Sequence, residues 1–285
     1  MLSNEFSRDY LITLIERILV FARDAGERIM AVYDRGFSVE TKTDKSPVTE
    51  ADMDAHEIIV NGLQNLPRAY PVLSEESVDI PFSARRRWET YWLVDPLDGT
   101  REFIKHNGEF TVNVALIHRH ESILGLIYAP VLEIYYYAAR GYGAYKQSYG
   151  GEPKRIHCRQ SAQKQPGHEH IVVIGSRSHD CDKLQRFLAN MGDYDLRSMG
   201  SSLKSCMVAE GQADIYPRLG LTGEWDTAAA QCVVEEAGGH FTDSAGNRLR
   251  YNTKESLLNP SFLVFCDDTI DWISFIAPGD AKPSL

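Results

Sequence analysis

The segment Asp95-Pro96-Leu97-Asp98-Gly99-Thr100 sets two carboxylates three residues apart, with Pro96 restricting the backbone and Gly99 permitting a tight turn. Carboxylate oxygens hold hard cations, and the amides of Gly99 and Thr100, opening a short helix through EFIKH, can receive a phosphate. A plain surface turn uses the same residue types. Two further acidic stretches argue for chemistry. SEES (74–77) presents Glu75 and Glu76 after the apolar run PVL, and GEWDTAAAQ (223–231) places Asp226 at the start of an Ala-rich helix, where negative charge is favoured. Taken singly, Glu75 reads as a solvated loop acid and Asp226 as an N-cap. Together with DPLDGT they read as one acidic constellation drawn from three stretches of chain.

Elements must bring those stretches together. Residues 6–33 carry Leu11, Ile15, Ile18, Ala22, Ala25, Ile29 and Tyr33 at helical spacing. After the polar TKTDKSPVTEAD, Thr49 or Asp52 caps a second helix through Ile58, Ile59 and Leu63. YWLVD (91–95) reads as a buried strand that ends at Asp95 and leads into a loop. FTVNVALIH, SILGLIYA and EIYYYAA follow with turn residues between them, which predicts an antiparallel meander. The polar stretch 150–167, with Pro153 and Pro166, marks a boundary between an N-terminal α+β half (1–155), which holds the DPLDGT loop, and a C-terminal α/β half (156–285), which contributes Asp226. In the second half 171–176, 213–217 and 261–266 read as strands, and 182–191, 202–210 and 226–237 as helices. The final PGDAKPSL is expected to fray.

The 285 residues are 43% hydrophobic and 25% charged, as in a soluble protein with a real core. A net charge of -10 argues against a partner that is a nucleic-acid polymer. A small anion remains compatible, because bound cations supply local positive charge. Five scattered cysteines without a CxxC point to a reducing cytosol, not to a disulfide framework or zinc site. The N-terminus does not read as a signal peptide, and no apolar run reaches the roughly 20 residues of a transmembrane segment. Peripheral attachment to the cytoplasmic face of the inner membrane stays open, as does the oligomeric state.

The set SPVTEAD, SEES, DPLDGT and WDTAA resembles the inositol monophosphatase superfamily of lithium-sensitive, magnesium-dependent phosphatases. PVLSEE, YWLVDPLDGTREFIKHNGEFTVNVALI, SRSH, GSSLK, VAEGQADIYPR and LNPSF bring the chain nearest to the CysQ branch, the 3'(2'),5'-bisphosphate nucleotidases, over nearly its whole length. The resemblance implies an α/β (α+β) layered sandwich, αβαβα, of the sugar/inositol phosphatase type. It implies two or more Mg2+ per site. Glu75, Asp95 and the Leu97 carbonyl would hold one, and Asp95, Asp98 and Asp226 a second. Glu75 and Thr100, the latter oriented by Asp52, would activate the attacking water. Glu75, Leu97, Asp98, Gly99, Thr100 and Asp226 would surround the phosphate, while His179, Ser201 and Lys204, with Arg218 as a further candidate, match positions that hold the nucleotide. The implied reaction converts adenosine 3',5'-bisphosphate to AMP and phosphate, with 3'-phosphoadenosine 5'-phosphosulfate as second substrate, and so clears a by-product of sulfate assimilation. Glu224 and Ala230 depart from the pattern, where an apolar residue and a glycine are usual.

Two rivals stand beside this reading. One is the same chemistry on inositol monophosphate or fructose 1,6-bisphosphate, against which GSSLK and SRSH argue. The other is a non-catalytic, metal-bound binding module, marked by a neutral residue at 75, 95, 98 or 226, yet all four are acidic. Ser201 and Lys204 fall i, i+3 on one helix face. Lys204 also suits a solvated helix lysine, and His179 an ordinary loop histidine. HRH (118–120) and HEH (168–170) read as surface, and Trp88, Trp92, Tyr135, Tyr136 and Tyr137 as core or interface aromatics.

Overall fold

A computed structural model describes residues 4–41, 47–77, 79–159, 170–176 and 182–280. Helix α1 (Arg8–Arg35) starts where the Ser7 hydroxyl accepts the Tyr10 N–H, and ends before Gly36. Its buried stripe runs from Leu11 through Ile15, Ile18, Ala22, Ala25 and Ile29 to Val32. Tyr33, expected in that stripe, lies partly buried against the rings of Phe103 and Phe110 instead. Strands β1 (Val39–Thr41) and β2 (Pro47–Thr49) pair antiparallel and lead into α2 (Glu50–Gln64).

Next come β3 (Val72–Ser74), α3 (Phe82–Arg85), β4 (Thr90–Asp98), α4 (Thr100–Ile104), β5 (Thr111–His118), β6 (Glu121–Ala129), β7 (Ile134–Ala139), β8 (Gly143–Ser148) and β9 (Lys154–Ile156). Strands β3 to β9 form one seven-stranded sheet in sequence order, parallel at β3–β4 and antiparallel thereafter. The expected meander is thus present and continues through β8 and β9, whose polar sequences gave no alternation to read. The second sheet is built from β10 (Ile171–Ser176), α5 (Asp182–Met191), β11 (Tyr194–Met199), α6 (Leu203–Ala209), β12 (Ile215–Arg218), α7 (Trp225–Glu236), β13 (His240–Asp243) and β14 (Phe262–Phe265). Its order is β11-β10-β12-β14-β13, with β11, β10 and β12 parallel and β14 antiparallel to both neighbours. Strand β11 was not expected, since it is a largely exposed edge without an apolar face.

The period-2 geometry of strands sorts the core into layers. On β4, Trp92 and Val94 join the cluster under α1 and α2, while Tyr91 and Leu93 join the cluster under α7. On β10, Val172 and Ile174 face α6 and α7, and Val173 packs with α5. The layers therefore stack as αβαβα, as the resemblance implied. The packing at the centre is close. A Cβ on Gly125 of β6 would lie 2.2 Å from the Ala229 carbonyl oxygen of α7, so only glycine fits there.

One local expectation is corrected and another is tested only in part. His118 is not at the surface but buried at the end of β5, because antiparallel pairing sets it opposite Thr90, whose Oγ1 lies 2.8 Å from His118 Nδ1. Of the final PGDAKPSL, 281–285 lie outside the described residues; within the described part Asp280 is held, accepting two hydrogen bonds from Arg186 at 2.7 and 2.8 Å. Of the two other stretches in question, 150–167 lies partly outside the described residues, and only His170 of HEH lies within them. Trp92, Tyr135, Tyr136 and Tyr137 are buried core aromatics. No helix among the described residues is long and apolar enough to cross a membrane.

Candidate active site

Strand β4 does not stop at Asp95 but runs to Asp98, and it changes register on the way. Asp95 pairs with Asn113 and Asp98 with Thr111, so a step of three on β4 matches a step of two on β5. That one-residue surplus is a β-bulge. Positions three apart on a regular strand point to opposite faces. The bulge reverses this, and Asp95 and Asp98 line one cavity. Pro96 suits a bulge because it has no N–H to leave unpaired. The Leu97 N–H donates to Asp95 Oδ1 at 3.1 Å. Gly99 follows at φ 95°, and a Cβ there would meet the Glu109 carbonyl oxygen at 3.2 Å. Thr100 then opens α4.

Strand β3 runs parallel to β4 with Ser74 opposite Val94, so Glu75 leaves its strand beside Asp95. Asp226 arrives from the first turn of α7, where its Oδ2 accepts the Gly223 N–H at 2.9 Å. One oxygen from each of Glu75, Asp95 and Asp226 lies within 4.8 Å of the other two. Asp98 is not in that set. Its Oδ2 accepts from the Ser202 N–H at 2.7 Å, the Ser201 hydroxyl at 2.8 Å, the Ser202 hydroxyl at 2.9 Å and the Asn113 amide at 3.3 Å. Sequence reading singled out neither Ser202 nor Asn113. A polar Asn within the apolar FTVNVALIH was the available signal.

The cluster is electrostatically costly on its own. Asp95 is 1% exposed, and its Oδ2 is buried without a hydrogen-bond partner. Burial, then the charges of Glu75, Asp98 and Asp226, hold the Asp95 carboxyl well above the usual carboxylate range. Asp226 is pushed up to about 8, by burial first and then by Asp98 and Glu75. An orphaned buried oxygen and crowded like charges both cost free energy unless something positive compensates them. An all-oxygen donor set of this kind fits a hard divalent cation.

Asp52 divides its two oxygens between two tasks. It is the third residue of α2, not the cap. Thr49 is the cap, and its N–H and hydroxyl both donate to Asp52 Oδ2 at 2.7 Å. Asp52 Oδ1 accepts the Thr100 hydroxyl at 3.2 Å. The same hydroxyl lies 3.4 Å from the Leu97 carbonyl oxygen.

Above the acids opens a cavity of about 260 Å³, lined among others by Gly99, Thr100, Ser201, Lys204, Tyr216 and Arg218. Ser201 is not on a helix face. It sits before α6 at φ 53°, which aims its hydroxyl at Asp98. Lys204 is no solvated lysine. It is 7% exposed, donates to the Ser201 carbonyl at 2.6 Å, and lies 5.4 Å from the Tyr216 ring centroid. Burial pulls its pKa down to about 8, against the opposing charge of Asp98. Arg218 donates to the Leu221 carbonyl at 2.9 Å. His179 and Arg177 lie outside the described residues.

A sequence model of the inositol monophosphatase family matches residues 14–264. The 3'(2'),5'-bisphosphate nucleotidases CysQ of Salmonella typhimurium and Escherichia coli K12 are 49% and 48% identical over 254 residues, covering 88% of this chain and 99% of each relative. The crystal structure of CysQ from Bacteroides thetaiotaomicron, a bacterial member of that family, superposes with a TM-score of 0.78 at 39% identity, over 92% of this chain and 99% of that one.

Proposed function

The chain belongs to the inositol monophosphatase family, and on that premise we propose that it is a Mg2+-dependent phosphomonoesterase for bisphosphorylated nucleotides. Its substrate is adenosine 3',5'-bisphosphate, which it converts to AMP and phosphate. 3'-Phosphoadenosine 5'-phosphosulfate is a second substrate. The observation that carries the reading is the convergence of Glu75, Asp95 and Asp226 around a buried, unpartnered Asp95 oxygen at the floor of a cavity. The nucleotidase relatives support the substrate class.

Glu75, Asp95 and the Leu97 carbonyl would hold one cation, and Asp95, Asp98 and Asp226 a second. When bound, Mg2+ would supply the positive charge these acids call for and Lewis acidity toward water and phosphoryl oxygens. The chain does the rest. The Thr100 hydroxyl donates to Asp52 Oδ1, so as its oxygen takes a proton from the attacking water it passes its own proton to the Asp52 carboxylate. Glu75 holds that water from the other side. The Gly99 and Thr100 amides, at the start of α4, donate to phosphoryl oxygens whose charge is spread in the transition state. Ser201, Lys204 and Arg218 line the part of the cavity left for the nucleotide and its second phosphate. We place the reaction in the cytosol. Cys158, Cys206, Cys232 and Cys266 are buried free thiols, which suits a reducing compartment.

Phosphate release tests this reading. Adenosine 3',5'-bisphosphate, its sulfated analogue, inositol monophosphate and fructose 1,6-bisphosphate are compared in Mg2+ and in EDTA. The adenosine bisphosphate is expected to have the highest kcat/KM, with activity lost in EDTA. Preference for the inositol ester would refute the substrate class, and turnover in EDTA would refute the cation.

A further inference from the structure

Two buried ionisable side chains, an acid and a base, stand outside the cavity and take no part in the chemistry above. Glu224 is fully buried immediately before α7. Arg85, 2% exposed, ends α3 on the limb of chain that runs from Glu75 to Asp95. Asn252 lies between them. Its backbone N–H donates to Glu224 Oε2 at 2.8 Å, its side-chain oxygen accepts from Arg85 Nη1 at 2.5 Å, and its side-chain amide donates to the Arg85 carbonyl at 2.7 Å. To do this Asn252 adopts φ 56°, a left-handed conformation that Asn tolerates better than most residues. The Arg85 guanidinium also donates to the carbonyls of Lys254 and Glu255. Lys254 Nζ approaches Glu224 Oε1 no nearer than 3.7 Å.

The loop that carries Asn252 also grips α7 directly. The Glu224 N–H donates to the Leu257 carbonyl at 2.8 Å. The Asn259 amide donates to the Gly223 carbonyl at 2.6 Å and to Thr227 Oγ1 at 3.0 Å. Asp226 is therefore fastened on both sides along the backbone. Arg85 ties the same loop to the limb that bears Glu75 before it and Asp95 after it. Buried, separated charges contribute less net stability than apolar side chains of the same volume. What this bridge does supply is a fixed distance between two limbs of chain that are far apart in sequence.

We propose that Arg85, Asn252 and Glu224 are positioning residues. They form a buried bridge that holds Asp226 against Glu75 and Asp95 and so sets the cluster's affinity for a divalent cation. The proposal rests on the cation-dependent reading above. Glu224→Gln keeps an acceptor for the Asn252 N–H and replaces the carboxyl by a neutral amide. Asn252→Gly keeps the left-handed backbone and its N–H but removes the side-chain contacts to Arg85. Isothermal titration of each purified full-length variant with Mg2+ is expected to show a Kd raised about 10- to 100-fold. The double variant Arg85→Met/Glu224→Gln leaves neither buried charge uncompensated. Its melting temperature in EDTA is expected to return to the wild-type value or above, while Mg2+ affinity stays weak. Wild-type affinity in Glu224→Gln or Asn252→Gly would overturn the proposal, and so would affinity that recovers together with melting temperature in the double variant. A wild-type protein that binds no Mg2+ is a separate outcome, which refutes the cation reading and the bridge's role with it.

Discussion

Neutralising Asp226 should make the metal-free protein more stable while destroying its activity. The Asp226 pKa is raised from 3.8 to about 8 by burial and by Asp98 and Glu75. A carboxyl raised in the folded state favours folding fully only below its unfolded pKa, and that contribution is lost as pH rises through the folded value. At pH 7 the unfolded chain ionises this group freely and the folded one does not. The gap between pH 7 and 3.8, at 1.36 kcal/mol per pH unit, costs the fold ~4 kcal/mol. Asp226→Asn removes that cost, and its side-chain oxygen can still accept the Gly223 N–H. For a chain of this size ~4 kcal/mol corresponds to a melting temperature on the order of 10 °C higher. Scanning calorimetry in EDTA at pH 7 and at pH 4.5 reads the effect, which should shrink at the lower pH as the unfolded chain takes up protons. Saturating Mg2+ should raise the wild type and leave the variant unchanged, with phosphate release down roughly a thousandfold or more. An Asp226→Asn protein no more stable than wild type in EDTA at pH 7, or equally stabilised at both pH values, would refute the reasoning.

Thr100→Val and Asp52→Asn should each lower kcat about 100-fold or more with little change in KM, and the double variant should be no slower than the worse single one, because one hydrogen bond links the pair. Steady-state kinetics check this, and additive losses would separate the two residues. Lys204 loses its charge as pH rises through about 8, so KM for the bisphosphate should climb above that pH. Lys204→Met should raise KM about tenfold or more at pH 7 and remove the climb, as initial rates from pH 6.5 to 9.5 will show. Gly99→Ala forces a side chain into φ 95° and against the Glu109 carbonyl. A loss of ~1–2 kcal/mol in urea unfolding is expected, and an unchanged midpoint would mean that the turn relaxes.

Residue chemistry and short-range periodicity were enough to read much of this protein from its sequence. Glu75, Asp95, Asp98 and Asp226 are legible as acids at a strand end, a loop and a helix start, each of which alone also suits a turn, a loop acid or an N-cap; it was the resemblance carried by SEES, DPLDGT and WDTAA together that joined them into one expected site. The stripe of α1 and the alternation of β5 to β7 depend on neighbours within a few residues, so they too are legible. The strands β8, β9 and β11 are not, because their polar sequences lack the apolar alternation that would mark them; β9 and β11 lie at sheet edges. Three features of the site were settled only by tertiary structure. A bulge against β5 turns Asp98 to the side of Asp95, whereas strand parity alone would set them apart. Ser202 and Asn113, from elements far away along the chain, take up one oxygen of Asp98. Lys204, which also suited a solvated helix lysine, and Glu224, which stands where the resembling family has an apolar residue, are both buried. Register between strands and burial of a side chain are set by contacts across the whole chain, and a linear pattern of residue types does not contain them.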